Sequence, residues 1–162
     1  MLCKNIVVNI KENNNKMYPK DFKFPPFEEF SEGTGVIRID GFKKLLEASG
    51  FFLEDAADSY LDMAFFVANQ DGNGGLTFNE YEIMKTAAWR MLKFDQTLAL
   101  KHFIFAIIDA DCSGRIDASE MRRLVEYWGR SGDMDNCRAH IKYFDIDKDG
   151  CLNFEEFIQI WG

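Results

Sequence analysis

The chain has 162 residues, of which 47% are hydrophobic and 16 are Phe, and its formal net charge is −8. So many large apolar side chains predict a folded interior and exclude global disorder, and the negative charge argues against a nucleic acid as partner. The length suits one compact domain or two small lobes joined by a helix.

Residues 1–23 are polar, contain five Lys and three consecutive Asn, and predict a flexible N-terminal tail. Pro25 and Pro26 then prevent a helix from continuing into the folded part. From there the sequence repeats at a period of about forty residues. In each repeat, a Gly is followed two residues later by Ile or Leu, and apolar residues at helical spacing flank it. The four glycines are Gly35, Gly74, Gly114 and Gly150.

This pattern predicts four helix–loop–helix units and therefore an all-α fold. A twelve-residue loop surrounds Ca²⁺ when positions 1, 3, 5 and 9 carry oxygen side chains, position 7 offers a carbonyl and position 12 is Glu. Gly at position 6 permits the sharp turn. An apolar residue at position 8 allows two loops to pair back to back through a short β-ribbon.

Loop 1 (residues 30–41) has this frame without the ligands. Phe30 occupies position 1, Arg38 position 9 and Gly41 position 12. The bidentate Glu is missing and a cation takes a ligand position, so we expect no calcium in loop 1. Its Ile37 is still expected to pair with the next loop.

Loop 2 (residues 69–80) is better equipped, but only two of its ligands are charged. The expected ligands are Asn69, Asp71, Asn73, the Gly75 carbonyl, Thr77 and Glu80. Because affinity rises with ligand charge, this loop predicts a third, weaker calcium site. The alternative is a loop that pairs with loop 1 without metal.

Residues 81–108 contain neither Gly nor Pro, which permits one long helix or two abutting helices with a cap at Asp95 or Thr97. Its middle is too apolar for a solvated tether. The side chains that need cover are Trp89, Met91, Leu92 and Phe94. They are expected to pack between the lobes or to bind a partner.

Loop 3 (residues 109–120) and loop 4 (residues 145–156) match every position and carry four ligand carboxylates each. In loop 3 the expected ligands are Asp109, Asp111, Ser113, the Arg115 carbonyl, Asp117 and Glu120. In loop 4 they are Asp145, Asp147, Asp149, the Cys151 carbonyl, Asn153 and Glu156. Two full matches between helical flanks predict two tight calcium sites rather than acidic surface loops.

On these loops, residues 24–162 resemble the EF-hand superfamily, in particular four-hand proteins of the calmodulin and troponin C type. The resemblance implies two paired lobes. Hands 1 and 2 are expected to form an N-terminal pair (residues 24–92), and hands 3 and 4 a C-terminal pair (residues 93–162). Hand 1 and, at position 1, hand 2 depart from the family pattern.

The function expected from this resemblance is a calcium sensor or regulatory subunit that binds a target protein or helix, as calcineurin B and myosin light chains do. Methionines that could line a target groove, or belong to the core, are Met63, Met84, Met91, Met121 and Met134. The alternative is a calcium buffer similar to sarcoplasmic calcium-binding proteins, with a compact closed form.

An enzyme is not expected, since the sequence has no GxSxG, HExxH or P-loop motif. Its two histidines, His102 and His140, lie in helical segments and are interpreted as structural or exposed. The four cysteines form no CxxC pair, which favours reduced thiols and a cytoplasmic location. No apolar run approaches the roughly 18 residues of a membrane span, and the N-terminus lacks the long apolar stretch of a secretory signal.

Overall fold

A computed structural model describes residues 24–49, 58–91 and 99–161. Its described part consists of eight α-helices and a final 3₁₀ helix, without strands, which confirms the all-α prediction. The helices are α1 (Phe27–Ser31), α2 (Ile39–Ala48), α3 (Asp58–Ala68), α4 (Phe78–Met91), α5 (Ala99–Ile108), α6 (Arg122–Tyr127), α7 (Met134–Phe144), α8 (Phe154–Phe157) and the 3₁₀ helix Ile158–Trp161. The predicted tail, residues 1–23, lies outside the described residues.

Each predicted loop lies between two helices, and the loops pair as the apolar residue at position 8 predicts. Ile37 and Leu76 exchange two backbone hydrogen bonds of 2.8 Å, and Ile116 and Leu152 exchange bonds of 2.8 and 2.9 Å. All four side chains are fully buried. The contact is one isolated antiparallel bridge per pair, so the expected short β-ribbon is not confirmed in the described loops.

Two helices lie at the centre because their apolar residues are not confined to one face. In α5, every residue of the run Phe103, Ile104, Phe105, Ala106, Ile107 and Ile108 is buried. In α3, the buried residues are Leu61, Met63, Ala64, Val67 and Ala68. A helix that is apolar on all sides needs neighbours on all sides, and here those neighbours come from both pairs of hands.

The two pairs of hands share one hydrophobic core. Helix α5 of hand 3 packs against α3 and α4 of hand 2, and α6 packs against α3. Phe42 of hand 1 contacts Phe103 of hand 3, with ring centroids 6.4 Å apart. Of the two arrangements that the sequence left open, the structure has the compact one.

Helices α4 and α5, which flank the connection between the pairs, pack side by side. The proposed cap residues Asp95 and Thr97 lie outside the described residues, as do the apolar Leu92 and Phe94 and the side chains of Trp89 and Met91. The division of the chain at residues 92 and 93 stays a prediction.

The methionines and histidines that could have served a site are largely structural. Met63, Met84 and Met121 are buried in the core, whereas Met134 is exposed. His102 is buried and stacks on Phe154, with ring centroids 3.5 Å apart. Within the described ranges, no helix is long and apolar enough to cross a membrane.

Candidate metal centres

Loop 3 folds so that its backbone amides point at its own carboxylates. Asp109 is completely buried, and its carboxylate accepts hydrogen bonds from the backbone N–H groups of Ser113 (2.9 Å) and Gly114 (3.1 Å). Gly114 has a φ of 81°, which favours glycine at position 6. A buried carboxylate is stable only with donors or a cation nearby, so position 1 is already prepared for a positive ligand.

The Glu at position 12 closes loop 3. One oxygen of Glu120 accepts from the backbone N–H of Ala110 (2.9 Å), and the other accepts from Asp117 (3.1 Å). Oxygens of Asp109, Asp111 and Glu120 lie within 4.8 Å of one another. The carboxylate of Asp117 instead accepts from the N–H groups of Ser119 (2.7 Å) and Glu120 (3.0 Å), so it stabilises the start of the outgoing segment.

Loop 4 repeats this arrangement. The Asp145 carboxylate accepts from the N–H groups of Asp149 (3.2 Å) and Gly150 (2.9 Å). Glu156 is buried and accepts from Ile146 (2.8 Å) and Asn153 (3.0 Å), while the Asn153 side chain accepts from Glu156 N–H, forming a capping box for α8.

The ligand atoms of loop 4 also converge. Oxygens of Asp145, Asp147 and Asp149 lie within 4.8 Å of one another. Ca²⁺ prefers six to eight oxygens in a flexible shell, and a loop with several carboxylates and a carbonyl offers that chemistry. Both loops therefore fit this ion.

The two loops differ in how they balance their negative charge. Loss of hydration raises the pKa of Asp147, and the neighbouring charges of Glu156 and Asp145 raise it further. Burial likewise raises the pKa of Glu120. In loop 4, the guanidinium of Arg115 from loop 3 forms an ion pair with Asp149. A bound cation would relieve the repulsion that remains among the carboxylates.

Loop 2 brings its predicted ligands together with less charge. Asp71 N–H donates to Glu80 (3.0 Å), and the Thr77 hydroxyl donates to the same carboxylate (2.8 Å). The Asn73 amide donates to Asp71 (2.8 Å). Asn69, at position 1, is 6% exposed, and its side-chain oxygen is buried with no hydrogen-bond partner among the described residues. Such an orphaned acceptor fits a cation.

Loop 1 is shaped for packing. Phe30 and Ser31 are the last residues of α1, so the frame begins inside a helix. A Cβ at Gly41 would lie 2.6 Å from the Phe30 carbonyl oxygen, which leaves no room for a Glu at position 12. In loop 2, a Cβ at Gly75 would lie 2.8 Å from the Val36 side chain of loop 1. Loops 1 and 2 therefore pack closely against each other.

The sequence prediction missed the residues that connect the hands to each other. Arg115 was expected to offer only its carbonyl, and Arg123 was not singled out at all. Arg123 donates to the carbonyls of Phe66 (2.9 Å) and Asn69 (2.6 Å). These partners are more than fifty positions away in the chain, so no local spacing announces them.

The comparison with protein families agrees with this geometry. The model of the EF-hand domain pair matches residues 99–162, which contain loops 3 and 4 and their flanking helices. This match confirms the resemblance of the chain to EF-hand proteins of the calmodulin type.

Individual relatives match regions of 92 to 132 residues. Probable calcium-binding protein CML31 of Arabidopsis thaliana is 28% identical over 111 residues, which cover 68% of this chain and 77% of the relative. Probable calcium-binding protein CML13 of Oryza sativa subsp. japonica is 25% identical over 132 residues, 80% of this chain and 73% of the relative. Centrin-3 of Homo sapiens is 33% identical over 92 residues, 57% of this chain and 53% of the relative.

Proposed function

We propose that the protein is a calcium-binding EF-hand protein that acts as a calcium sensor or regulatory subunit on a target protein. The observation that carries calcium binding is the pair of carboxylate clusters, whose oxygens lie within 4.8 Å of one another in loops 3 and 4. The relatives named as calcium-binding proteins support the same conclusion. The chain is taken to be a non-enzymatic, cytoplasmic protein.

In this proposal, loops 3 and 4 hold the two tight ions. Each would offer four carboxylates, one backbone carbonyl and one neutral side-chain oxygen. Loop 2 would hold a third, weaker ion, because only Asp71 and Glu80 bring charge. Loop 1 would remain empty and serve as the packing partner of loop 2.

Calorimetric titration of single-residue variants tests the assignment. The wild type is expected to bind two ions tightly, and Glu120→Gln or Glu156→Gln should each remove one of them, because a neutral amide replaces the bidentate carboxylate. Glu155→Gln is the matched control, since this exposed neighbour donates no ligand in the proposed set. Two unchanged tight sites in Glu156→Gln would refute the assignment of loop 4.

The sensor proposal is supported by what the closed core contains. Met63, Met84 and Met121 are buried, and Phe42 packs against Phe103 across the two halves. If calcium opens the hands, these side chains become a surface for a target helix, as in calcium sensors.

The same compact core favours the buffer as a second candidate, because a buffer binds calcium without opening. Fluorescence of a hydrophobic dye separates the two functions. We expect calcium to increase dye binding by the wild type. It should not do so for the double variant that combines Glu120→Gln and Glu156→Gln. Unchanged or reduced dye fluorescence in the wild type would leave the buffer as the function.

A further inference from the structure

Arg123 joins the two pairs of hands at the end of α3. One terminal nitrogen of its guanidinium donates to the backbone carbonyls of Phe66 (2.9 Å) and Asn69 (2.6 Å). The other terminal nitrogen pairs with Glu126 at 2.9 Å. The guanidinium carbon also lies 4.3 Å from the centroid of the Phe66 ring. One side chain of hand 3 thus binds a carbonyl at the end of α3 and the carbonyl of the first residue of loop 2.

The contact between the Arg123 guanidinium and the carbonyls of Phe66 and Asn69 is stronger than an ordinary surface contact. Carbonyls at the C-terminus of a helix lack intrahelical partners and carry partial negative charge, so a cation there makes charge-assisted hydrogen bonds. The Arg123 side chain is 23% exposed, and its Nε is buried with no hydrogen-bond partner among the described residues. Limited access to water strengthens the contact relative to an ion pair on the surface.

The two ends of the contact lie beside calcium ligands of different hands. Arg123 lies in the first turn of α6, three residues after Glu120, the position-12 residue of loop 3. Asn69 is position 1 of loop 2, where the side-chain oxygen is buried and without a partner among the described residues. Arg123 therefore connects the position-12 end of loop 3 with the position-1 end of loop 2.

Helix α6 has a second contact with α3. The Tyr127 hydroxyl donates to the Ser59 carbonyl at 3.1 Å, and its ring lies 5.4 Å from that of Phe66. Because Arg123 contacts the end of α3 and Tyr127 its beginning, the two helices are antiparallel.

Open space lies beside this contact. A cleft of about 410 Å³ is lined by Val67 and Gln70 of hand 2 and by Glu120 and Arg123 of hand 3. The start of α6 therefore has room to shift without a clash on that side. Motion there would be transmitted through Arg123 rather than blocked by packing.

We propose that Arg123 is the positioning residue through which calcium in loop 3 raises the calcium affinity of loop 2. Calcium would fix Glu120, the first turn of α6 and hence Arg123, which holds the backbone of Asn69 in place for binding. The inference rests on the proposed calcium sites in loops 2 and 3. By linkage, calcium in loop 2 must strengthen binding in loop 3 by the same factor.

The test is a calcium titration of the full chain, monitored by NMR, in which the Gly74 amide reports binding in loop 2 and the Gly114 amide reports binding in loop 3. The substitution Glu120→Gln, which disables loop 3, is introduced into the wild type and into the Arg123→Gln variant. With Arg123 present, we expect Glu120→Gln to weaken loop 2 at least about fivefold, within the usual range of coupling between sites. In Arg123→Gln, the same change should alter loop 2 less than about twofold.

Two further variants distinguish positioning from stability. Arg122 is a neighbouring cation that also pairs with Glu126, at 2.8 Å, and it makes no hydrogen bond or ion pair with the described residues of hand 2. Arg122→Gln should therefore keep the coupling. Arg123→Lys keeps the charge without the fork that contacts carbonyls and Glu126 together, so it should retain only part of the coupling. A purely structural role would lower the melting temperature and leave the coupling intact.

The outcomes that overturn the inference are specific. Equal weakening of loop 2 by Glu120→Gln with and without Arg123 would show that the coupling takes another route. A Gly74 amide that never titrates would show that loop 2 is not a site. If Gly114 does not titrate in the wild type, it is the proposed calcium site in loop 3 that fails, which distinguishes the two failures.

Discussion

Asn69 places a neutral amide at position 1 of loop 2, where loops 3 and 4 have Asp. Its oxygen is buried and has no hydrogen-bond partner among the described residues, so a carboxylate at this position would face the proposed ion. We expect Asn69→Asp to lower the calcium dissociation constant of loop 2 about tenfold, which corresponds to about 1.4 kcal/mol. The Gly74 amide in a calcium titration by NMR measures this change.

The control for Asn69→Asp is Asn79→Asp, at the exposed position 11 of the same loop. It adds the same charge without adding a proposed ligand, so long-range attraction alone should improve affinity much less. Equal gains from the two variants would mean that net charge, rather than coordination at position 1, sets the affinity of loop 2.

His102 gives the stability a dependence on pH. Burial lowers the pKa of His102, against a smaller opposing effect of the Glu155 carboxylate. Its folded-state pKa therefore lies below the value of about 6.5 for an exposed histidine. The contribution of the neutral ring to stability is complete above that value and is lost as the pH falls through the folded-state pKa.

We therefore expect metal-free wild type to lose more free energy of unfolding than His102→Phe between pH 7.5 and pH 5.5. The Phe ring keeps the stacking contact with Phe154 but does not titrate. Urea unfolding of both proteins in a chelator, at each pH, measures the difference. A parallel loss in the two proteins would assign the acid sensitivity to carboxylates instead.

Individual ligands could be predicted from the sequence because a calcium loop is a local device. The twelve positions of each loop lie within one stretch of chain, and the structure brings oxygens of Asp109, Asp111 and Glu120 together. Arg123 could not be predicted, since its role depends on which helix α6 packs against. Nothing within a few residues of Arg123 records that contact.

At the scale of elements, hand 1 has a loop without calcium ligands whose role is packing. Ile37 is fully buried and bridges to Leu76 of loop 2. We expect Ile37→Ala to lower the free energy of unfolding by about 2–5 kcal/mol, whereas Ile37→Val should cost about 0.5–1.5 kcal/mol. The two tight sites of loops 3 and 4 should remain, as calorimetry on the folded variant would measure.

A loss of tight calcium sites in Ile37→Ala, with the protein still folded, would contradict this division between packing and binding.

The helices that carry these loops were predictable from apolar spacing, because the face that each buries repeats every three or four residues. The spacing does not say that α3 and α5 are covered on all sides. That follows from the packing of the two pairs, which no single repeat encodes.

At the scale of the whole molecule, the shared core should make the two pairs unfold together. Phe42 of hand 1 packs on Phe103 of hand 3, and Tyr60 of hand 2 packs on the C-terminal Trp161, with ring centroids 5.1 Å apart. Removing either pair would expose apolar surface of the other. Two independent lobes, the alternative that the sequence left open, would instead melt separately.

Calcium bound in the C-terminal pair should therefore stabilise the N-terminal pair as well. A ligand at one hundred times its dissociation constant adds about 2.7 kcal/mol per site, so two tight ions should add about 5 kcal/mol to one common transition. Differential scanning calorimetry should show a single peak that moves to higher temperature with calcium and moves less in Glu156→Gln. Hydrogen exchange should slow at Leu45 and Leu46 of α2, far from any tight ligand in the sequence. Two peaks, of which only one responds to calcium, would show that the core in the structure does not couple the pairs energetically.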